Sequence, residues 1–228
     1  MTDQVVLGLD VGGSHVKLLL STGAVERRRF ASGPDLGPQQ LLEGVIAETR
    51  DWSFDVVSIG IPAIVRTGRI VAEPVNLGSG WVGFDFQEAL GKPTKVVNDA
   101  AMQALGSYEG GKMLFLGLGT GLGSALVVDQ FVLPMELGHL PYRKGTFEDY
   151  VGARGRETQG HKKWQKAVVE TIEKLSAALE PDYVVLGGGN ADKLDQLPPD
   201  VRMGANTNAF LGAFRLWDPA MPDVMATR

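Results

Sequence analysis

The chain has 228 residues, 44% of them apolar and 21% charged, with a formal net charge of −5 and no cysteine. That length supports a sizeable core in one large domain or two small ones. The missing cysteines exclude disulfides and thiolate metal sites, and the acidic balance argues against a general nucleic-acid binder. Glycine is the outlier at 30 residues, nearly twice the usual ~7%. It gathers after apolar runs, where a backbone must turn sharply or approach a ligand closely. Met1-Thr2-Asp3-Gln4 shows no basic region ahead of a long apolar stretch. No run nears ~18 apolar residues, so a cytoplasmic protein with no membrane partner is expected.

Apolar runs alternate with helical patterns, which points to an α/β class. Val5 to Leu9 reads as a buried strand and His15 to Leu20 as its neighbour across a glycine turn. Between them, Asp10-Val11-Gly12-Gly13-Ser14 places a carboxylate, two glycines and a hydroxyl in one turn. Glycines there let backbone N–H groups face phosphate oxygens, and the carboxylate can hold a hydrated Mg²⁺. A plain hairpin has the same appearance. Pro38 suits the first turn of a helix with Leu41, Leu42, Val45 and Ile46 on one face. Val56 to Ile61 is a strand closed by Pro62, and a short helix follows between Asp85, with Glu88 at capping-box spacing, and Gly91. Lys95 to Val97 feeds Asn98-Asp99 and a helix carrying Ala101, Ala104, Leu105 and Tyr108. A carboxylate at a helix N-terminus is favoured in the ionised form a base requires; it also suits a simple cap.

The second half opens the same way. Met113 to Leu118 is a strand, Gly119 to Gly123 a turn, and Ala125 to Val128 the returning strand. Glycines alternating around Thr120 would weaken a strand interior, so close approach of a phosphate chain explains them better. The pattern is neither a P-loop nor G-x-G-x-x-G, because Leu122 holds the sixth place. Glu136-Leu137-Gly138-His139, followed by Glu148, offers two carboxylates and an imidazole. These can bind vicinal sugar hydroxyls, hold a metal or sit in a surface loop. Between Arg143 and Lys166 stand seven bases and three acids, either a solvated helix face or an anion-facing rim. Trp164, Ala167, Val168, Thr171, Ile172, Leu175 and Leu179 mark a long amphipathic helix ended by Pro181. Tyr183 to Leu186 is a strand running into Gly187-Gly188-Gly189. A last helix over 206–217 carries Ala209, Phe210, Ala213, Phe214 and Trp217.

The order Asp-x-Gly-Gly-Ser, Asn-Asp-Ala, Gly-Thr-Gly-x-Gly, Glu-x-Gly-His, Gly-Gly-Gly resembles the ROK family of sugar kinases and sugar-responsive repressors, over residues 5 to 217. Gly119 to Ala125 and Leu133 to His139 are similar to the polyphosphate glucokinase branch, and Glu73-Pro74-Val75-Asn76-Leu77 to Trp81 matches the family's stretch ahead of its catalytic Asp. The resemblance implies two actin-like ATPase (ribonuclease H-like) α/β lobes around a central cleft. Residues 1–98 would form the N-terminal lobe and 99–228 the C-terminal one, the helix over 206–217 packing back on the first. It implies a hexose kinase, a glucokinase above all, with Asp99 as the base at the sugar 6-hydroxyl. Asn76, Asn98, Glu136, His139 and Glu148 would bind sugar. Asp10, Gly12, Gly13, Ser14, Lys17, Gly119, Thr120, Gly121, Gly187, Gly188 and Gly189 would bind the donor, ATP or polyphosphate, with Mg²⁺ held by Asp10 through water and no zinc site. The partners implied are a small-molecule sugar and the phosphoryl donor, in a homodimer, with no nucleic acid. The repressors' DNA-binding domain and the cysteine-rich zinc module of many members are absent from this sequence. The stretch between His139 and Gly160 is shorter than usual, which trims the wall of the sugar pocket. A kinase for an N-acetylhexosamine or fructose, or a sugar sensor without turnover, are the competing readings. Asp99 and both glycine loops count against the sensor.

Overall fold

In the computed structural model, residues 4–23, 26–205 and 207–220 are described. Met1 to Asp3 and Asn206, the head of the expected last helix, lie outside them. Strand β1 (Val6–Val11) is buried along its whole length, as a strand covered on both faces must be. It pairs antiparallel with β2 (His15–Leu20), and β2 with β3 (Arg28–Ala31). Helix α1 (Pro38–Thr49) starts on Pro38, and β4 (Val56–Ile61) then lies parallel to β1. A small hairpin of β5 (Val65–Arg66) and β6 (Arg69–Ile70) follows. Helix α2 (Phe86–Leu90) is capped by Asp85 and ended by Gly91 in the left-handed region, φ 61°. Strand β7 (Thr94–Asn98) runs parallel to β4 and straight into α3 (Asp99–Ser107). The sheet order is β3-β2-β1-β4-β7. Its core includes Leu7, Leu9, Ile59, Ile61 and Trp81.

The second sheet begins with β8 (Lys112–Leu118), β9 (Leu122–Val128) and β10 (Phe131–Met135), all antiparallel. The hairpin of β11 (Pro141–Tyr142) and β12 (Gly145–Thr146) leads to three helices, α4 (Phe147–Val151), α5 (Ala153–Gln159) and α6 (His161–Leu179). Strands β13 (Tyr183–Gly187) and β14 (Val201–Met203) extend the sheet in parallel, giving the order β10-β9-β8-β13-β14. Both sheets thus share one connectivity, an antiparallel trio continued by two parallel strands. Helix α6 buries Trp164, Ala167, Val168, Thr171, Ile172 and Leu175, so the amphipathic stripe read from sequence is the buried one.

Contacts divide the chain into two units. One runs to Gly106 and resumes at Ala209; the other is Ser107–Asn208. The division at 98/99 read from sequence therefore falls one helix early, and Asp99 belongs to the first unit. The reason is packing: α7 (Asn208–Arg215) returns to lie on α3 and the first sheet. Ser58 Oγ donates to the Ala213 carbonyl at 2.7 Å, and Gly212 lies directly against the Met102 carbonyl. Ile46, expected on the buried face of α1, is 62% exposed. The inward residues are Pro38, Leu41, Leu42, Val45 and Thr49, and Ile46 stands a further turn of about 100° past Val45, beyond the edge of that stripe. No helix among the described residues is long and apolar enough to cross a membrane.

A methyl group at position 212 would meet backbone that cannot yield, the Met102 carbonyl and the Gly106 nitrogen. Gly212→Ala is expected to destabilise the chain by about 1–3 kcal/mol in urea unfolding. Leu211→Ala, at a position 46% exposed, should stay within about 0.5 kcal/mol. Equal stability for the two variants would remove this close approach from the account of the fold.

Candidate active site

In the first unit the β1–β2 turn is closed by Gly12 N–H donating to the His15 carbonyl at 3.0 Å. Gly13 and Ser14 stand exposed at its tip. Strand β1 runs two residues further than the sequence indicates, so Asp10 lies within it, only 6% exposed. Its carboxylate is met by Lys17, the residue opposite in β2, with Nζ to Oδ2 at 2.9 Å. The exposed Asn76 lies beside Gly13, its Cβ 3.9 Å from where a side chain there would begin. Glu73 fixes that loop by accepting from the Trp81 and Val82 N–H groups at 3.1 and 3.3 Å.

The junction of β7 and α3 separates two roles that the sequence leaves merged. Asn98 is the cap: its Oδ1 accepts from Ala101 N–H at 3.1 Å, and its Nδ2 donates to the Ala63 carbonyl at 3.2 Å. Asp99 is the first helical residue, half-buried, where the positive end of the helix favours its ionised form.

In the second unit three glycine-bearing segments converge. The β8–β9 turn folds on Gly119 N–H donating to the Gly121 carbonyl at 3.2 Å, and Thr120 is exposed. The start of α5 docks on it from one side, Ala153 N–H donating to the Gly119 and Thr120 carbonyls at 3.0 and 3.1 Å. From the other side come Gly187 to Gly189. Gly188, at φ +82°, sits too close to the Leu118 backbone for any side chain, and Gly189 faces open space. Asn190 then donates its N–H to the Leu118 carbonyl at 2.9 Å and its Nδ2 to Gly119 at 3.2 Å. Beside this turn is a hollow of about 320 Å³ lined by Ala153, Arg156, Glu157, His161 and Asn190.

Glu136, His139 and Glu148 come together as the sequence suggests. His139 Nε2 lies 3.6 Å from Glu148 and 3.9 Å from Glu136. A single turn of 3₁₀ helix, Leu137–His139, presents the first two, while Thr146 caps α4 and presents the third. Gly138 is small because Leu122 and Glu148 crowd it. Burial pushes the Glu136 carboxyl above its usual value; His139 opposes this and Glu148 adds to it. A side chain at Gly121 would begin 2.5 Å from Glu148 Oε2, so this cluster abuts the glycine turn directly.

Sequence reasoning missed Ser124, Gly152 and Ala153. Ser124 Oγ donates to the Met135 carbonyl at 2.6 Å and accepts from Leu137 N–H at 3.1 Å, pinning the Glu136 segment to β9. A hydroxyl on the inward side of an apolar strand was its one visible signal; the other two act through backbone alone. The basic stretch is not one rim: Arg143 and Lys166 both engage Glu170, at 2.8 and 3.9 Å, whereas Lys162 and Lys163 are exposed. Among the described residues no group of three or more His, Cys, Asp or Glu side chains is arranged to hold a metal ion. Asp10 alone suits only the one-carboxylate, largely water- and phosphate-held Mg²⁺ typical of phosphoryl donors.

A sequence model described as ROK family matches residues 6–157. The polyphosphate glucokinase of Mycobacterium tuberculosis is 25% identical over 213 residues, covering 84% of this chain and 80% of that protein. Among solved structures, the inorganic polyphosphate/ATP-glucomannokinase from Arthrobacter sp. strain KM superposes with a TM-score of 0.80 at 23% identity, over 92% of this chain and 96% of that one. A ROK family glucokinase from Streptomyces griseus, in complex with glucose and AMPPNP, gives 0.76 at 15% identity, over 93% and 98%. At these identities the structural likenesses establish the fold.

The raised Glu136 carboxyl means that the folded chain keeps a proton there after the unfolded chain has released its own near pH 4.5. Stability is therefore lost as pH rises from that value through the raised one, and the loss then levels off. Glu136→Gln removes it. The melting-temperature gain of the variant should be small near pH 4 and grow to a plateau by about pH 7. A gain that stays flat or shrinks across that range would contradict the burial of this carboxylate.

Proposed function

The chain belongs to the ROK family, and from that premise we propose that it phosphorylates the 6-hydroxyl of a free hexose, glucose by preference, with Asp99 as the base. It is a sugar kinase, a phosphotransferase with an alcohol acceptor, built on the actin-like ATPase fold. The observation that carries the proposal is the contact of the Glu136–His139–Glu148 cluster with Gly121. Carboxylates and an imidazole suit vicinal hydroxyls, and a glycine turn with outward N–H groups suits phosphate. A protein that only bound sugar would not need the second built onto the first.

In this reading Asn98 holds α3 so that Asp99 faces the acceptor oxygen from the first helical turn. Asp99 takes the hydroxyl proton as that oxygen bonds to the terminal phosphorus and the bridging P–O bond of the donor breaks. Such transfer needs positioning and charge stabilisation more than covalent help. Glu136, His139 and Glu148 hold the sugar, with Asn76 beside the β1–β2 turn. N–H groups of Gly13, Ser14, Thr120 and Gly121 receive the donor phosphates, while Gly12 and Gly119 close the two turns with theirs, and Gly187 to Gly189 flank the donor's far end. Mg²⁺, reached by Asp10 through water, would neutralise donor charge when bound. Polyphosphate, ATP or both serve as donor: the Mycobacterium and Arthrobacter proteins carry polyphosphate in their names, and the Streptomyces structure holds AMPPNP. The proposal also takes the chain to act in the cytoplasm as a homodimer.

Asp99→Asn keeps shape and hydrogen-bonding reach but cannot accept the proton. Turnover should fall by about 10²–10⁴, with glucose affinity changed only a few-fold. Retention of more than about a tenth of wild-type turnover would sink the assignment of the base.

Lys162 and Lys163, exposed at the start of α6 and following His161, which lines the hollow, test the donor. A long polyanion gains from cations beyond the transferred phosphate, and salt screens that gain. Reversing both to Glu should depress polyphosphate-dependent turnover far more than ATP-dependent turnover, and the gap should close at high salt. Equal loss with both donors would leave these lysines as a solvated face.

A further inference from the structure

Between His139 and Glu148 the chain makes a hairpin whose strands are two residues each, β11 and β12. A two-stranded hairpin that short cannot hold itself in water. Its turn residue Arg143 even takes the left-handed region, φ 56°, where a residue without glycine's freedom is rare. The hairpin is closed at its base by Phe147 N–H donating to the Leu140 carbonyl at 3.1 Å. Its aromatic side rests on its neighbours: the Tyr142 ring stacks on Phe147 at 5.0 Å and meets Tyr150 edge-on at 5.1 Å. One carboxylate from α6, six residues beyond Trp164, also holds it. Glu170 Oε2 accepts from the Tyr142 hydroxyl at 2.5 Å and from Arg143 Nη2 at 2.8 Å. The Arg143 guanidinium lies over the Tyr142 and Tyr150 rings at 4.7 and 5.3 Å. One oxygen therefore gathers a hydroxyl, a guanidinium and, through that guanidinium, two rings.

We infer that Glu170, which is no part of the Glu136–His139–Glu148 cluster, is a positioning residue for sugar: it locks the Tyr142–Arg143 hairpin and so sets the 3.6 Å spacing of His139 and Glu148. The inference rests on the reading of those two residues as sugar ligands. Both ends of the hairpin carry that spacing, since His139 precedes Leu140 by one residue and Glu148 follows Phe147 by one. If the hairpin tilts, the two side chains move as a pair of tongs does. The charge states suit the lock. Hydrogen bonds from Tyr142 and then Arg143 hold the Glu170 carboxyl below its usual value. Burial, then the bond to Glu170, pushes the Tyr142 hydroxyl up to about 12, so it stays a donor throughout the working range. The glycine turn is held separately, by Ala153 and Asn190, so the donor should not feel the change.

The test is steady-state kinetics with glucose and ATP, on the full chain, with melting curves to verify folding. Glu170→Ala should raise the glucose KM about ten-fold while the ATP KM stays within about two-fold. Glu170→Gln still accepts from the Tyr142 hydroxyl and should stay within about three-fold of wild type for glucose. Tyr142→Phe deletes one oxygen and keeps the ring; it should raise the glucose KM in the same direction and add nothing further to Glu170→Ala, as coupled partners do. An unchanged glucose KM in folded Glu170→Ala, or a parallel rise for both substrates, overturns the inference. Should Glu170→Ala fail to fold, Tyr142→Phe decides alone by the same criterion. His139→Ala separates the two levels: if it too leaves the glucose KM unchanged, the sugar site itself is elsewhere. If it raises that KM while Glu170→Ala does not, only the lock is wrong.

Discussion

One backbone amide organises the second unit. A tight glycine turn leaves inward carbonyls in need of partners. Ala153 N–H satisfies two of them, on Gly119 and Thr120. That contact is possible only because Gly152 comes so close that a side chain there would begin 2.5 Å from the Thr120 carbonyl. The docking draws α4 against the turn, and with it Glu148 against Gly121. The Glu136–His139–Glu148 cluster and the glycine turn are thereby packed directly against each other. Asn190 secures the opposite side of the same turn, and the Tyr142 hairpin hangs from the α4 that this contact has placed.

Much of this could be read from the amino acids, but in an uneven way. Long buried strands and the stripe along α6 were legible because burial on one face or two leaves a local apolar period. Ile46 misled because the period does not say how wide the buried stripe is. Helices α4 and α5 escaped notice: they are five and seven residues long and are separated by Gly152 and Gly160, too short for any period to emerge. At the candidate site, Asn98-Asp99 was legible as a strand-to-helix junction, yet which of the two capped the helix was not, since either side chain can reach an N–H. Lys17 and Asp10 face each other through strand register, a relation that only the turn length decides. Glu148 was picked out beside Glu136 and His139, but its reading as a sugar ligand came from resemblance to a family rather than from its own surroundings. Its distance from Glu136 in sequence is bridged by the hairpin, and no local rule encodes such a closure.

The repeated connectivity of the two sheets puts the β1–β2 and β8–β9 turns at equivalent places. Each answers the same demand with different chemistry. In the first, a buried carboxylate is balanced across the strands by a lysine at 2.9 Å. A buried charge needs such a partner, which ties the two strands together close to their turn. In the second, the strands near the turn carry no charge, and the buried Ser124 hydroxyl, 2% exposed, ties β9 to the end of β10 and to Leu137 instead. Duplicated scaffolds can diverge in this way because the sheet requires only that its inward polar groups be matched, not how.

The return of α7 to the first unit makes the second an insertion in the middle of its host. Its ends meet, with Asn208 Nδ2 donating to Ser107 Oγ at 2.9 Å, so it is topologically closed on itself. A ribosome delivers this chain from residue 1 onward, and the inserted unit is therefore complete before its host. While the later residues are still being joined, the first sheet waits with the face around Gly8 and Met102 uncovered, because Phe210 and Ala213 have yet to emerge. The unit begun first is finished last, and during synthesis the exposed apolar surface that chaperones would meet belongs to the half that carries Asp99.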